Sequence, residues 1–429
     1  MLFLLKLLKS SKHTQKIINK KIINKNYKYW KVRIFYSLFL GYMFFYFTRK
    51  SFTFIMPLLI KDLHLSISDL GIINTLFYIT YAFSKLTSGI LSDKSNPRYF
   101  MSLGLILTGI FNICIGLSYH TIYLSIFWIL NAIFQGWGWP AVTKQLTYWF
   151  NKQERGLWWS LCSTSHNIGG AIIPLFISYS SAYLGWRYSM YLTGILSITI
   201  GILLINRLRD IPETLGLPST EIQYNNKYNK LLNTKEIIFK YIINNKIIWL
   251  LSISYFFIYI IRTAINDWTI LYLMNQKGYS LLSASISIFW FEIGGLIGMI
   301  TSGRLTDIFF KGKRLTFITI CTIGLMISSI ILWNLPVGYK LIDYIIIGII
   351  GFLTFAPQML IGLTASEAVN KRIACTANGF VGCWAYIGAA ITGYPLGLII
   401  NLSWNIYFLF IIISSIIIIF PILLCNIEK

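Results

Sequence analysis

The sequence predicts an all-α integral membrane protein with twelve transmembrane helices in two pseudo-symmetric bundles of six and with both termini in the cytoplasm. Three observations support this prediction. The 429-residue chain is 56% hydrophobic and only 12% charged, a balance far from that of a soluble domain. Apolar stretches of roughly 20 residues, long enough to cross a bilayer as a helix, recur along the chain. Two short motifs also occur twice, at spacings of 213 and 214 residues.

The apolar stretches are continuous rather than alternating, which favours helices over the strands of a barrel. They define a basic N-terminal tail (1–32), a first six-helix bundle (33–207), a cytoplasmic linker (208–246), a second bundle (247–425) and a cytoplasmic C-terminus (426–429). The predicted spans are 33–57, 70–90, 99–119, 121–142, 160–184, 188–207, 247–272, 282–303, 315–335, 341–364, 375–398 and 402–425.

The chain is strongly basic, with 37 Lys and Arg against 14 Asp and Glu and a formal net charge of +23. Most of the basic residues lie in the termini and in the loops after even-numbered helices, which is the pattern of cytoplasmic segments. The charge therefore indicates topology and contact with anionic membrane lipid, not a nucleic-acid partner. We expect a multi-pass protein of the bacterial inner membrane. For the lysine-rich start we favour a cytoplasmic tail, with an organellar targeting segment as the alternative.

Six cysteines stand singly in apolar segments, without CxxC pairs or nearby histidine clusters. We therefore expect no disulfide framework and no metal site, and the sequence indicates no cofactor. It also contains no recognisable nucleophile, acid–base pair or phosphate-binding loop, so that we expect no catalytic residues. An enzyme such as a phosphatase is the weakest interpretation.

The first repeated motif is Y-x-x-x-Y-x-x-R, formed by Tyr42, Tyr46 and Arg49 and again by Tyr255, Tyr259 and Arg262. On a helix these offsets share one face, so each copy forms a stripe of two phenols ending in a guanidinium. An arginine near mid-membrane costs about 2.5–3.5 kcal/mol and by default faces a cavity or a partner. Two arginines in matching places predict one anion held between the two bundles.

The second repeated motif is SGILSD, which ends at Asp93 and returns as SGRLTD, which ends at Asp307. Each copy closes an even-numbered helix before a short basic loop. Two independent features at nearly one spacing predict parallel repeats related by an axis along the membrane normal. We expect Asp93 and Asp307 to bond a neighbouring helix end or the basic loop, in a structural or gating role.

Further strings in the sequence are FYFTRKSF, FSKLTSGILSDKSNPR, FQGWGWP, ERGLWWS, SHNIGG, RDIPETLGLP, YIIRTAINDW and GFLTFAPQMLIGLTASE. With the loop after helices 2 and 8, they resemble the organophosphate:phosphate antiporters of the major facilitator superfamily over roughly residues 33–425. The likeness is nearest to the hexose-phosphate branch, which includes transporters and a membrane sugar-phosphate receptor. It implies the major facilitator fold, and it implies that Arg49 and Arg262 hold the phosphate.

The chemistry of these two side chains agrees with that implication, because guanidinium groups bind phosphate dianions through paired, charge-assisted hydrogen bonds. The alternative is that each arginine pairs with a buried carboxylate. We identify Asp267 and Glu292 as the acids in the neighbourhood of a membrane segment.

The resemblance also points to Lys85 and His166 as substrate-binding residues. Lys85 matches the lysine of the family's FSK string, and its alternative is pairing with Asp93. His166 matches a histidine in the substrate pocket of many members, and a protonated histidine binds anions better. Lys50 follows Arg49 but points about 100° away on the helix, so we expect a secondary gating or structural role.

Aromatic residues complete the predicted site, because a phenol offers a hydroxyl to a phosphate or sugar while its ring stays in the wall. Trp139 is a candidate for stacking on a sugar, although packing is favoured for it and for Trp137. Members of the family often read W-N where this chain has Cys162-Ser163, which puts the size of the substrate in question. The candidate tyrosines are Tyr42, Tyr46, Tyr81, Tyr255 and Tyr259.

The function we expect is exchange of a sugar phosphate, with glucose 6-phosphate as the best guess among hexose 6-phosphates, for inorganic phosphate by alternating access. A glycerol 3-phosphate:phosphate antiporter is the nearest alternative. A membrane receptor that binds sugar phosphate at the same site and signals to a histidine kinase is a second alternative, because no residue separates transport from sensing.

Overall fold

The computed structural model describes residue 14 and residues 17–220, 242–310, 314–369 and 374–427. Within these ranges the chain folds into α-helices, with a short 3₁₀ helix at Pro212–Leu215. The α-helices are α1 (Lys20–Asp62), α2 (Ile67–Lys94), α3 (Pro97–Gly116), α4 (Thr121–Gln135), α5 (Gly138–Trp149), α6 (Lys152–Leu184), α7 (Trp186–Arg207), α8 (Lys246–Lys277), α9 (Leu281–Phe310), α10 (Arg314–Asn334), α11 (Lys340–Glu367), α12 (Ala374–Ile391), α13 (Tyr394–Leu402) and α14 (Trp404–Ile427).

The first helix is longer than the sequence predicts, because it begins at Lys20 rather than at residue 33. Asn19 caps it by accepting a hydrogen bond from a backbone N–H of the first turn. The rings of Tyr27 and Trp30 lie 6.3 and 6.4 Å from the ring of Trp149. Part of the predicted tail is therefore an ordered extension of α1, held by tertiary packing that no local pattern reveals.

Two predicted spans are each divided into two helices. The predicted span 121–142 is interrupted between α4 and α5, and the predicted span 375–398 is interrupted between α12 and α13. Each second helix carries a proline in its first turn, Pro140 in one and Pro395 in the other, where the missing N–H costs no helical hydrogen bond. At the second interruption, the Thr75 hydroxyl accepts a hydrogen bond from the backbone N–H of Tyr394 at 2.7 Å, which gives this N–H a partner.

The helices form two groups whose packing repeats. In the first group α1 packs on α6 and α7, and α3 packs on α7. In the second group α8 packs on α12 and α14, and α10 packs on α14. The two groups meet through α2 with α12 and through α9 with α6. Because α9 carries the second copy of the motif in α2, these two contacts are related as the predicted two-fold repeat requires.

Eight helical stretches in the described part of the chain are long and apolar enough to cross a membrane. They include α3, α7 and six stretches of the second group, among them Thr376–Leu402, which joins α12 and α13. The helices α1, α2 and α6 fall outside this set. The charged residues Arg49 and Lys50 lie in α1, and Lys85 lies in α2. The protein is therefore an all-helical membrane protein, and the total of twelve spans stays a prediction.

The bundle has two distinguishable ends. We call the end at which α1 and α8 begin, at Lys20 and Lys246, the near end, and the end at which they finish, at Asp62 and Lys277, the far end. Two hydrogen-bonded contacts between the two groups lie at the far end. The Ser178 and Ser285 hydroxyls are 2.8 Å apart, and Thr75 donates to the carbonyl of Ala390 at 3.1 Å.

An exposed carboxylate closes the far end of α1. The Asp62 side chain accepts hydrogen bonds from the Trp186 indole at 2.9 Å and from the Arg187 guanidinium at 2.7 Å. These bonds, that of Trp186 first, hold the pKa of the Asp62 carboxyl below its ordinary value. The start of α7 is thereby tied to the end of α1.

Candidate functional site

The two Y-x-x-x-Y-x-x-R stripes lie on α1 and α8 and bring their arginines to the boundary between the two helix groups. Arg49 is 3% exposed and Arg262 is 4% exposed. Each lies in the middle of a long helix, so burial is set by the neighbouring helices and not by the end of an element. The arginines that end the two predicted stripes therefore form a pair of buried cations.

Tyr46 links the two guanidinium groups. Its ring lies 4.4 Å from the Arg49 Cζ, within the range of a cation–π contact. Its hydroxyl accepts a hydrogen bond from the Arg262 Nη2 at 2.9 Å. One phenol from the first group thus contacts a cation from each group.

Arg49 is held in place by neutral partners. Its Nε donates to the Gln135 Oε1 at 3.2 Å and its Nη1 to the Tyr386 hydroxyl at 3.2 Å. The Gln135 amide is itself fixed, because its nitrogen donates to the Thr48 hydroxyl at 2.8 Å. The Arg49 Nη2 is buried and has no hydrogen-bond partner among the described residues. A buried donor without a partner costs free energy, and an anion bound here would remove that cost.

Arg262 lies among aromatic rings. Its Cζ is 4.6 Å from the ring of Phe355 and 5.3 Å from the ring of Tyr259. These rings reduce the access of water to the guanidinium. Glu292 interacts with Arg262 electrostatically, but within the described residues the two form no ion pair. A desolvated cation of this kind attracts an anion more strongly than an exposed one.

The alternative was that each arginine pairs with a buried carboxylate, and the described residues show no such pair. Asp267 pairs with Lys50 at 2.9 Å and accepts a hydrogen bond from the Tyr78 hydroxyl at 2.5 Å. Glu292 accepts hydrogen bonds from two amides, those of Asn167 at 2.9 Å and Asn266 at 3.2 Å. Within the described part of the chain, neither acid forms an ion pair with either arginine. Lys50 is buried in its own ion pair across the two groups.

A cavity lies beside the two arginines, on the side of the near end. Both groups contribute to its wall, with four tyrosines, a lysine, a histidine, two indoles and several polar side chains. The lining residues are Tyr42, Tyr46, Lys85, Trp139, Trp159, Ser163, His166, Tyr255, Tyr259, Met299, Gln358, Met359, Gly362, Leu363 and Asn378.

His166 lies at the wall of this cavity, in α6. Its ring is 5.2 Å from the ring of Tyr46 and 5.6 Å from that of Phe355. Its Nε2 is buried and has no hydrogen-bond partner among the described residues. The adjacent Gly169 and Gly170 allow α6 to approach closely, since a Cβ at Gly170 would stand 2.7 Å from the Glu292 carboxylate carbon.

Lys85 projects from α2 toward the same cavity. Its ammonium lies 5.3 Å from the ring of Tyr386 and 5.8 Å from that of Tyr81. Nothing in the described ranges supplies a carboxylate for it. The alternative partner predicted from the sequence, Asp93, lies in the last turn of α2, but the side chains of Asp93 and Asp307 lie outside what the structure describes.

The remaining predicted residues divide into two sets. Trp139 lines the cavity and its ring lies 4.9 Å from that of Tyr42. Tyr81 is fully buried behind Arg49, with its ring 4.8 Å from the guanidinium and 4.1 Å from Tyr386, and it is not among the lining residues. Tyr81 therefore supports the arginine from behind.

The two residues at which the chain departs from the family pattern, Cys162 and Ser163, lie in different surroundings. Ser163 lines the cavity, whereas the Cys162 side chain is buried away from it. Trp137 stacks on Phe100 at 4.4 Å, which is the packing role favoured for it.

Sequence reasoning missed several neighbours of the arginines. Tyr386 and Gln135 bond Arg49 directly, and Gln358 and Asn378 line the cavity. Gln135 lies in the quoted FQGWGWP string, and a polar amide in an apolar helix was a usable signal. Tyr386 carried no signal, because it is one of 27 tyrosines and belongs to neither repeated motif.

Taken together, the fold and site define a class of protein: an all-helical membrane protein in which two repeated helix groups enclose a cationic, aromatic cavity. The chain belongs to the Major Facilitator Superfamily, whose family model matches residues 38–393. This membership places it among membrane transporters rather than enzymes. It is a multi-pass integral membrane protein, and a location in the bacterial inner membrane is consistent with its bacterial relatives.

Three curated relatives illustrate the branch. A probable hexose phosphate transport protein of Chlamydia trachomatis is 47% identical, over 94% of this chain and 93% of the relative. The membrane sensor protein UhpC of Escherichia coli is 43% identical, over 91% of each chain. A glycerol-3-phosphate transporter of Bacillus subtilis is 35% identical, over 96% of each. They match the organophosphate:phosphate antiporter branch that the sequence predicts.

The solved structures agree on the fold. A bacterial homologue of the human lysosomal transporter Spinster, in an inward-facing and unoccupied conformation, superimposes with a TM-score of 0.64. The match covers 92% of this chain and 95% of that one at 15% identity. At this identity the likeness concerns the fold alone.

Proposed function

We propose that this protein exchanges a sugar phosphate for inorganic phosphate across the bacterial inner membrane by alternating access, and that Arg49 and Arg262 hold the phosphate. One observation carries the proposal. Two buried guanidinium groups, one from each repeat, both contact the side chain of Tyr46. Both cations lack a carboxylate partner within the described residues, so an anion is the group that completes the site.

Phosphate fits this arrangement by charge and by geometry. A phosphate monoester carries up to two negative charges near neutral pH, and two guanidinium groups balance them through directed hydrogen bonds. Lys85 at the cavity wall adds positive charge along the path of the anion, and His166 offers a ring nitrogen that can form a hydrogen bond there. Without an anion, the like charges oppose closure of the two groups around the site. With phosphate bound, the site is nearly neutral and closure becomes favourable, which couples two fluxes as exchange.

The topology proposed for this mechanism has twelve membrane segments, with α4 and α5 together and α12 and α13 together each forming one. Both termini and the near end lie in the cytoplasm, as the distribution of Lys and Arg favours. The Lys50–Asp267 pair lies between the arginines and the far end, and the cavity lies on the opposite side of the arginines. The described arrangement then corresponds to a state that is open to the cytoplasm.

The proposed organic substrate is a hexose 6-phosphate such as glucose 6-phosphate. The support is the relative named as a hexose phosphate transport protein, together with a cavity wall suited to a sugar. Indoles can stack on a sugar ring, while amides and phenols bond its hydroxyls. The residues in these positions are Trp139, Trp159, Gln358, Asn378, Tyr255 and Tyr259.

The test is counterflow in proteoliposomes loaded with phosphate and supplied with labelled phosphate, glucose 6-phosphate or glycerol 3-phosphate. Arg49→Lys and Arg262→Lys keep the charge but lose the planar fork, so we expect exchange to fall at least about tenfold for each. Arg187→Lys, at the exposed Asp62 pair, is the matched control and should leave exchange unchanged. Normal exchange by both site variants, or uptake without a countersubstrate, would overturn the proposal.

The preferred external substrate in the same assay separates the hexose phosphate reading from glycerol 3-phosphate exchange, which the Bacillus subtilis relative supports. A receptor function has its own support in the 43% identity to the membrane sensor protein UhpC. A receptor would bind sugar phosphate through the same arginines without catalysing exchange. Binding by the purified protein, with no counterflow and with a sensor histidine kinase gene adjacent, would favour it.

A further inference from the structure

A second basic feature lies away from the transport cavity, at the near end where α1 meets the end of α7. It is a groove on the outer surface of the first helix group, and we call it the basic groove. Among the residues that line it there are four cations, two phenols and one valine, and no carboxylate. They are Lys25, Lys28, Tyr29, Val32, Arg33, Tyr36 and Arg207.

The helical positions explain why these residues form one surface. In α1 the lining residues follow offsets of three and four along the sequence, which places them on a single face of the helix. The opposite face is occupied, because Tyr27 and Trp30 pack toward Trp149. The basic face of the α1 extension is therefore left open by the packing of the described chain.

One cation of the groove is held in a fixed position. The Arg33 guanidinium donates to the Tyr29 hydroxyl at 2.5 Å and to the Asn206 carbonyl and side-chain oxygens at 3.1 Å each. It also lies 4.9 Å from the ring of Trp30. Because Arg33 is already fixed, its side chain loses little conformational entropy when a ligand binds.

The other three cations of the groove are exposed, and none forms an ion pair within the described residues. They are Lys25, Lys28 and Arg207. Four positive charges in one groove repel each other, and an anion in their midst removes that repulsion. The groove therefore fits a ligand with a concentrated negative charge.

Apolar side chains share this face with the cations. Tyr29 is 53% exposed and Val32 is 55% exposed, and Ile22 one turn before the groove is 49% exposed. The long apolar stretch of α1 starts directly after Arg33, so the groove lies at the level where the helix enters the membrane. Basic and apolar side chains on one exposed face are typical of contact with the lipid headgroup region. The ligand must accordingly combine an anionic head with an apolar part.

We propose that the basic groove is a binding site for an anionic phospholipid such as phosphatidylglycerol. The phosphate of the headgroup lies among Lys25, Lys28, Arg33 and Arg207, and an acyl chain follows Val32 and Tyr36 along α1. This site is separate from the substrate cavity and does not depend on which organophosphate the protein carries. It goes beyond general attraction to the membrane surface, because it assigns one lipid to one set of side chains.

The test measures lipid binding to the purified full-length protein by native mass spectrometry, with phosphatidylglycerol and phosphatidylethanolamine added in turn. The triple variant Lys25→Gln, Lys28→Gln, Arg207→Gln removes three cations of the groove. The matched control Lys20→Gln, Lys61→Gln, Lys340→Gln removes the same charge from exposed lysines outside it. A single Lys28→Glu protein serves as a second variant, and none of these residues lines the substrate cavity.

We expect the native protein to prefer phosphatidylglycerol. The groove variant should bind it on the order of 100-fold more weakly, because each basic residue near an anionic surface contributes about fivefold. Lys28→Glu should weaken binding in the same direction, and the control variant should bind as the native protein does. Inorganic phosphate should not displace the lipid, since it lacks the apolar part. Equal loss in the groove and control variants, equal binding of the two lipids, or displacement by phosphate would overturn the proposal.

Discussion

The Tyr46 hydroxyl accepts a hydrogen bond from the Arg262 Nη2 at 2.9 Å, across the boundary between the two repeats. Its ring at the same time lies over the Arg49 guanidinium. A single side chain therefore sets the position of both cations relative to each other. This relationship makes the geometry of the proposed anion site sensitive to one oxygen atom.

Tyr46→Phe removes that oxygen and keeps the ring over Arg49. A hydrogen bond to a charged group is worth about 1.5–3 kcal/mol, so we expect phosphate exchange at low substrate concentration to fall about tenfold or more. Initial rates of labelled phosphate counterflow measure it. Tyr179→Phe is the control, because Tyr179 is 68% exposed on α6. Equal rates for the two variants would show that the hydroxyl does not position Arg262.

Asp267 connects α8 to two helices of the other repeat, through Lys50 on α1 and Tyr78 on α2. Removing one partner of a buried ion pair costs about 3–5 kcal/mol, and here the cost falls on the arrangement that is closed at the far end. We expect Asp267→Asn to open that end more often. A Ser178→Cys reporter at the far-end contact should then react at least about tenfold faster with an impermeant maleimide.

The control for this experiment is Asp69→Asn with the same reporter. Asp69 belongs to the capping box of α2 and makes its hydrogen bonds to Ser66 within the same helix start. It should leave the labelling rate unchanged. An Asp267→Asn protein that labels no faster than this control would mean that the pair does not hold the far end closed.

Asp343 forms a buried ion pair with Lys277 at 2.5 Å within the second group, and it accepts a hydrogen bond from the Tyr279 hydroxyl at 2.6 Å. The Asp343 side chain is fully buried and that of Lys277 is 2% exposed. Asp343→Asn leaves the ammonium buried without its partner, so we expect a loss of about 3–5 kcal/mol of stability. Thermal unfolding of the purified protein measures the loss.

Two comparisons complete this prediction. Asp62→Asn breaks an exposed pair and should cost no more than about 1 kcal/mol. The double change Lys277→Met, Asp343→Leu removes both charges and should recover most of the lost stability, since it leaves no uncompensated ion. If Asp343→Asn unfolds at the same temperature as Asp62→Asn, the pair contributes nothing beyond a surface contact.

The Asp62 pair predicts a dependence of stability on pH. The pKa of this carboxyl is lowered in the folded protein by its bonds to Trp186 and Arg187, so the folded state binds the proton less readily than the unfolded state. Its contribution is fully present above the ordinary carboxyl pKa of 3.8 and is lost as the pH falls through the lowered folded value. The stability difference between native protein and Asp62→Asn should thus shrink on acidification, and a constant difference would contradict this.

Much of the site follows from the sequence because it depends on helix periodicity and polarity. The spacing of Tyr42, Tyr46 and Arg49 places them on one face, and a charge in an apolar helix must turn inward. The same reasoning separated Lys50 from Arg49, and the structure indeed directs Lys50 to Asp267. The sequence could not supply Tyr386, whose partner Arg49 lies 337 residues away in the chain.

Other differences have the same origin. The extension of α1 to Lys20 depends on Trp149, and the buried pair of Asp343 depends on Lys277, a residue of another helix. Asp343 belongs with Asp267 and Glu292 among the acids near the membrane segments, and the sequence already placed it inside the predicted span 341–364. Local patterns predict helices and faces, but they do not predict which faces meet.

The sequence by itself determined that this protein is a helical membrane protein of repeated halves, that it carries two arginines in equivalent places, and which family it resembles. These properties follow from the energy of placing each side chain in lipid and from the fixed geometry of a helix. Only the tertiary structure decided that Tyr46 joins the two arginines, that Asp267 and Glu292 are satisfied elsewhere, and that the cavity lies toward the near end. Those outcomes depend on contacts between helices far apart in the chain, where packing and charge balance select one arrangement among many.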